Sequence, residues 1–321
     1  MNALFFALAF TLVALGVYMG RYSGRVRAEQ SRLIAAPPEA VQARVADLAQ
    51  WQAWNPWLEQ AHDAEAAVGD GSLAWDVPSV GRARVRPVRV REACALRQQM
   101  AFDLPFACRG RSDWRFEPEA GGTRVHWRFK GRVAFTLRAF AATVQGATAL
   151  DLRYGLDRLA STLEAAPPAY ELEYVGVRPQ PARRFAQQAY RGPLDTLATE
   201  LPPRIAAARA RTGAADAVGC VHYLKTQLKL RVVDCRVGVE LPSDAAAPEG
   251  LVLQEQPAHD AYVLRFDGPP EALELAWYQA MQRLRVEQRQ PHPQLPPHAR
   301  YLGETAPGRR GLVELQMPLR H

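Results

Sequence analysis

The chain has 321 residues and is 48% hydrophobic, which is material for two globular domains with a core in each. Its net charge of +7 is carried almost wholly by arginine. That surplus suits anionic partners, lipid headgroups included, but spread over two domains it makes no case for direct nucleic acid binding. Four cysteines without CxxC or zinc spacing, and histidines without HExxH or a His-Cys pairing, predict no metal site. GxSxG, Walker and Rossmann fingerprints are absent as well, so no cofactor and no catalytic residue are predicted.

Residues 2–20 (NALFFALAFTLVALGVYMG) form one uncharged run, and Arg21, Arg25, Arg27 and Arg32 follow at once. At about 1.5 Å rise per residue the run just reaches across a ~30 Å hydrocarbon core. A secretory signal would carry its positive charge first and end at a small-residue cleavage site. Residues 1–25 are therefore predicted to be an uncleaved transmembrane helix with a basic flank, single-pass in the inner (cytoplasmic) membrane. The positive-inside rule places the remainder in the cytoplasm.

Residues 26–165 change pattern. An edge strand is predicted over 27–36, then a short helix opened by Pro37 and Pro38 with Val41, Val45 and Leu48 on one face. The tryptophan cluster WQAWNPW follows at 51–57. Period-two runs come next at 72–77, 82–91, 94–102, 109–116 and 123–129, with hairpin turns at GDG (69–71) and EAGG (119–122). In 82–91, arginines 82, 84, 86, 89 and 91 alternate with small apolar residues, and Pro87 shifts the register as a bulge would. This stripe reads as an anion or lipid-headgroup surface, or as a solvated outer face. Over 135–164, Leu150, Tyr154, Leu156, Leu159 and Leu163 recur at helical spacing.

One strand, short helices, antiparallel strands and a closing helix make the helix-grip order. On Ala36 and Pro37 with Val41, WxxWNPW at 51–57, GTRVHW at 122–127 and Gly155-Leu156 with Leu159, this stretch resembles an SRPBCC domain, the family of START-type lipid carriers and polyketide cyclase-like proteins. The resemblance implies a curved sheet around a hollow for apolar ligands, and no shared catalytic residue. Trp54, Trp57, Trp75, Phe102, Trp114 and Trp127 are the candidates to line it, the alternative being ordinary core.

APPA at 166–169 is a short, stiff linker. Residues 170–321 carry a duplication. FAQQAYRGP (185–193) and AYVLRFDGPP (261–270) each run a strand into a Gly-Pro turn and then a leucine-bearing helix. Two strand-like runs follow each helix, at 219–224 and 231–242, then 299–303 and 311–319. The predicted fold class is α+β: a helix-grip antiparallel sheet, then a duplicated strand-helix-strand-strand sheet with a cleft between its halves. Leu201-Pro202-Pro203 should break the first repeat's helix. Cys220 and Cys235 fall on strands expected to pair across 224–230, so a disulfide and two free thiols are both open.

On AYRGP (189–193), VGVELP (237–242), FDGP (266–269), Trp277-Tyr278, Tyr301-Leu302 and VELQMP (313–318), this half resembles the GyrI-like effector-binding domain. The resemblance implies a pocket for bulky, often cationic or aromatic molecules, and some members hydrolyse strained ones. Tyr190, Tyr223, Trp277, Tyr278, Ala299 and Tyr301 are its candidate pocket residues. The family's pocket glutamate falls at Ala299, which can neither pair a cation nor act as a base. Glu240 and Glu314 occupy equivalent places in the two repeats and face either the cleft or solvent. The leading expectation is a membrane-anchored binder of hydrophobic or aromatic small molecules or lipids. A hydrolase of a hydrophobic toxic compound and a module that sequesters a protein partner are the alternatives.

Overall fold

The computed structural model describes residues 2–59, 67–77, 81–92, 94–104, 106–214, 216–227, 230–303 and 306–320. The chain divides into two compact units, Met1–Pro167 and Pro168–His321. Each is built on one antiparallel sheet with helices, an α+β architecture.

Unit 1 opens with α1 (Asn2–Gly20) and β1 (Arg25–Ile34), then α2 (Pro38–Ala46) and a 3-10 turn at Leu48–Ala53. Pro38 starts α2 at a position where its missing N–H costs nothing, and Val41 and Val45 turn inward. The strands β2 (Ala67–Gly69), β3 (Ser72–Val77), β4 (Gly81–Val88), β5 (Ala95–Phe102), β6 (Cys108–Glu119) and β7 (Gly122–Val133) follow. A 3-10 turn (Phe135–Phe140) leads into α3 (Ala141–Ser161). The sheet order β1-β7-β6-β5-β4-β3-β2 is a meander whose last strand folds back to pair with the first. Alternation decides what faces in: Thr123, Val125, Trp127 and Phe129 of β7 and Ser112, Trp114 and Phe116 of β6 are buried. Leu152, Leu156, Leu159 and Ala160 of α3 close the core from the other side.

Unit 2 comprises β8 (Glu171–Gln180), β9 (Arg183–Pro193), α4 (Leu197–Thr212), β10 (Gly219–Gln227), β11 (Val232–Leu241), β12 (Val252–Gln256), β13 (His259–Gly268), α5 (Leu273–Val286), β14 (His298–Tyr301) and β15 (Gly311–Pro318). The sheet order β12-β9-β11-β10-β14-β15-β13-β8 reads alike from either edge. β9-α4-β10-β11 and β13-α5-β14-β15 are the two halves, and they meet where β10 pairs with β14. Both helices lie on one face: Ile205 of α4 reaches Gly219, and Trp277 of α5 meets Tyr223, two residues of β10 that point the same way.

Several expectations are corrected. Among the described residues no helix is long and apolar enough to cross a membrane. The transmembrane helix, the single-pass inner-membrane localisation and its orientation are therefore not supported. Pro202 and Pro203 do not end α4. They leave the carbonyls of Ala198 and Thr199 without helical donors, but Leu201, Ile205 and Ala208 are buried against the sheet and hold the helix together. Pro87 makes no bulge: it stays in register opposite Gln98, and β4 ends one residue later. Cys220 and Cys235 are free and point to opposite faces of the sheet, since Cys235 pairs with Tyr223 and Cys220 lies an odd number of residues away. Part of the turn at 224–230 lies outside the described residues.

Gly238 marks the tightest strand approach. A Cβ there would lie 1.9 Å from the Ala186 carbonyl oxygen, which is backbone and cannot yield. Gly238→Ala is expected to lower the unfolding free energy by about 3 kcal/mol in urea melts. Gly303→Ala would meet no atom within 4 Å and should leave the midpoint in place. Equal midpoints for the two variants would contradict the packing.

Candidate functional site

The interior of unit 1 is aromatic. Trp114 and Trp127 are cross-strand partners and stack at 4.2 Å between ring centroids. Trp54 stands edge-on to both, at 6.0 and 6.1 Å. Trp127 Nε1 donates to Ser112 Oγ, and Trp114 Nε1 donates to Gln98 Oε1. Trp51 Nε1 donates to the Val45 carbonyl. Trp54 differs: its side chain is fully buried and, among the described residues, its Nε1 has no acceptor. Trp75 is buried beside Phe102. Trp57 and Phe102, 5.1 Å apart, are only half-buried, and Trp57 Nε1 donates to Asp151 of α3. Around them Val77, Leu137 and Val144 are also half-covered. Leu104, Phe106, Phe135 and Phe140 are exposed at the same end of the sheet, where Phe102 pairs with Cys108 and Cys108 with Val133.

On the helix face of unit 2, Tyr223 and Trp277 meet edge-to-face at 5.0 Å, and Tyr301 and Ala299 are buried alongside on β14. Tyr190 shares this face, its ring covered by the Arg204 guanidinium of α4 at 4.6 Å, and Tyr278 is half-buried on α5. Burial pushes the Tyr223 and Tyr301 phenols well above the ordinary range. They are neutral hydroxyls, not bases.

Glu240 and Glu314 lie on the opposite face, and the structure brings them together through one cation. Arg300 of β14 donates to Glu240, with Nη2 to Oε2 at 3.1 Å, and from Nη1 to Glu314 Oε1 at 2.9 Å. Gln316 Nε2 also donates to Glu314 Oε1, at 2.6 Å. Burial alone would raise the Glu314 carboxyl. Donation from Gln316 and Arg300, with the charges of Arg300 and Arg265, outweighs it and holds Glu314 below the usual range. A carboxylate so held is a poor proton acceptor near neutrality.

Beside this ion cluster lies a buried polar seam that the sequence did not disclose. His222 and His298 face each other across β10 and β14 and stack at 4.7 Å. Phe185 meets His222 edge-on at 4.6 Å. Gln187 Nε2 donates to His222 Nδ1 at 2.7 Å, which leaves the ring proton on Nε2, directed at Gln256 Oε1 3.3 Å away. His298, the last residue of the proline-rich run PHPQLPPH (291–298), is the first residue of β14 and fully buried. Alternation along 219–223 hints at two faces, but nothing in the sequence says that the histidine face is covered. Among the described residues no group of His, Cys, Asp and Glu side chains is placed to hold a metal ion.

Residues 25–164 match the family model described as polyketide cyclase / dehydrase and lipid transport. The match spans unit 1 from β1 past α3 and does not extend into unit 2. No curated protein matches the chain. Among solved structures, a protein from Rhizobium leguminosarum is similar over 44% of this chain and 96% of its own, at 16% identity and a TM-score of 0.36. One from Chromobacterium violaceum is similar over 44% and 99%, at 16% identity and a TM-score of 0.34. The EcmrR–DNA complex is similar over 56% of this chain and 66% of that one, at 16% identity and a TM-score of 0.38.

Burial lowers the His222 pKa from 6.5 to about 4, and that of His298 in the same direction. Both rings therefore stay neutral in the folded chain while the unfolded chain protonates them. The contribution of His222 to stability is complete above pH 6.5 and is lost as pH falls toward 4, and that of His298 is lost in the same direction. For His222 alone the loss is on the order of 3 kcal/mol. Urea melts over this window should show the decline, and His222→Gln should flatten it. An unchanged slope in that variant would contradict the assignment.

Proposed function

We propose that unit 1 holds an apolar small molecule or lipid bearing one oxygen acceptor. The observation that carries this is Trp54 Nε1, a fully buried donor without a partner among the described residues, set in an interior otherwise lined by aromatic carbon. An unmet donor at such depth costs about 1–3 kcal/mol, which a ligand carbonyl or hydroxyl would recover. The half-buried Trp57 and Phe102, with Val77, Leu137 and Val144, form the wall against which the ligand's apolar body packs. Trp75, Trp114 and Trp127 form its floor. The family description over residues 25–164 supports the same ligand class.

Unit 2 is read as a second, GyrI-like module. The mirrored strand order, two helices on one face and the cluster of Tyr223, Trp277 and Tyr301 around Ala299 support it. Tyr190 and Tyr278 flank that cluster, and aromatic contact alone is enough to hold a planar molecule there. In this reading the domains are 26–165 and 170–321, joined by the linker 166–169. Binding without catalysis is favoured, because Glu240 and Glu314 lie on the other face and are both bound to Arg300.

Trp54→Phe keeps the buried ring and removes the N–H. In displacement of anilinonaphthalene sulfonate from the full chain, it should weaken a long-chain ketone about five- to tenfold and leave the matching alkane unchanged. Trp57→Ala should weaken both. A ketone and an alkane equally indifferent to Trp54→Phe would exclude the acceptor, and indifference to Trp57→Ala would exclude the site. Separately, Trp277→Ala should reduce binding of planar aromatic probes to unit 2, while Trp57→Ala should not affect it.

A further inference from the structure

Unit 1 has a second concavity, independent of its aromatic interior. A groove of about 420 Å³ lies where residues 89–92, after β4, pass the outer positions of β5, β6 and β7. Seven cationic side chains line it against two carboxylates, Glu92 and Asp113. The cations fall into two classes. Three are held in place: Arg97 and Arg111 both pair with Asp113, at 2.6 and 3.1 Å, and Arg128 is gripped through two nitrogens by Glu29, 2.8 Å each. Four are not: among the described residues no ion pair reaches Arg89, Arg91, Arg115 or Lys130.

Arginines alternating along an outer sheet face need no ligand when each is exposed to solvent on its own, as Arg84 and Arg86 of β4 are. The groove is different because its cations converge on one concavity. Like charges that converge repel one another, and Glu92 alone cannot balance four of them. Carboxylates fix the inner arginines, so the donor array is oriented before any ligand arrives. Val90 adds apolar surface between the charges. The volume falls within the ~300–1,000 Å³ of small-molecule pockets.

We propose that this groove binds a small, multiply charged organic anion, a phosphate ester or polycarboxylate. The guanidinium forks of Arg91 and Arg115 take its oxygens in pairs, and Lys130 supplies a point charge. The shared chemistry is a compact oxyanion with at least two negative charges, and the two sources are separated by the choice of probe.

The test is calorimetry on the full chain at about 0.15 M salt, where exposed charges more than ~8 Å apart are screened. The probes are sodium pyrophosphate and citrate. One site is expected, with either probe or both. Arg91→Ala and Arg115→Ala should each weaken binding about tenfold. Arg115→Lys should recover part of the loss, and Arg84→Ala, outside the groove, should change nothing. Circular dichroism of each variant checks the fold, and all these positions are exposed. Pyrophosphate binding alone assigns a phosphate ester, and citrate binding alone a polycarboxylate. Absence of heat with both, or equal affinity in the groove variants, overturns the proposal. So does tighter binding of oligothymidylate that scales with its length, because that describes a polyanion surface rather than a closed site.

Discussion

Two carboxylates crowded on one face of a duplicated sheet call for a cation between them. Glu240 and Glu314 meet that constraint through Arg300, which hydrogen-bonds to each. Arg300 sits on β14, the strand that joins the second half to the first, opposite Cys220 of β10. Removing that cation would leave Glu240 with Arg183 at 3.9 Å and Glu314 with Arg265 at 3.6 Å as the remaining ion-pair partners. The ion cluster also fixes register. A one-residue slip of β14 would turn Arg300 to the helix face and bring Ala299 among the carboxylates. The pairing of the two halves and the neutralisation of their acids are thus one requirement.

That requirement separates the two faces of the sheet. On one, Arg300 and Gln316 meet at Glu314, and Gln187 and Gln256 meet at His222. On the other, the side chains beneath the helices are aliphatic and aromatic, with neutral phenols as the polar groups of the Tyr223–Tyr301 cluster. A general base needs a carboxylate or imidazole with spare basicity beside an apolar pocket. The acids and the imidazoles His222 and His298 lie on the first face and the aromatic cluster on the second, so the sheet itself stands between them.

Much of this was legible where one strand decides its own environment. The alternation Thr123, Val125, Trp127, Phe129 identifies an inner face without further information, and the recurrence of a strand, Gly-Pro and a helix revealed the duplication. What failed was decided by partners elsewhere in the chain. Val252–Gln256 is an edge strand because β9 lies beside it, and most of its residues are not buried, so no apolar pattern marks it. Glu240 and Glu314 stood out as a symmetric pair, but Arg300 looked like one arginine among many. Prolines 202 and 203 signalled a helix break, and the burial of Leu201 and Ile205 overrode them. The uncharged run at 2–20 suggests a membrane span by composition and length alone, whereas among the described residues no helix is long and apolar enough to cross a membrane.

In unit 1 the same logic applies to aromatic surface. Trp114 and Trp127 use their faces on each other, and the indole N–H groups of Trp51, Trp114 and Trp127 are met by Val45, Gln98 and Ser112. Ring contact saturates quickly, because each indole has two faces and one donor. Saturation fails, among the described residues, at the donor of Trp54 and on the half-covered rings of Trp57 and Phe102. Trp57 is bonded through its indole N–H to Asp151, so its ring moves with α3 or loses that bond. Gly155 of the same helix sits where a Cβ would come within 2.7 Å of Trp127, so α3 is seated directly on the stacked pair. Helix α3 is thus tied both to the half-buried ring of Trp57 and to the stacked pair beneath it.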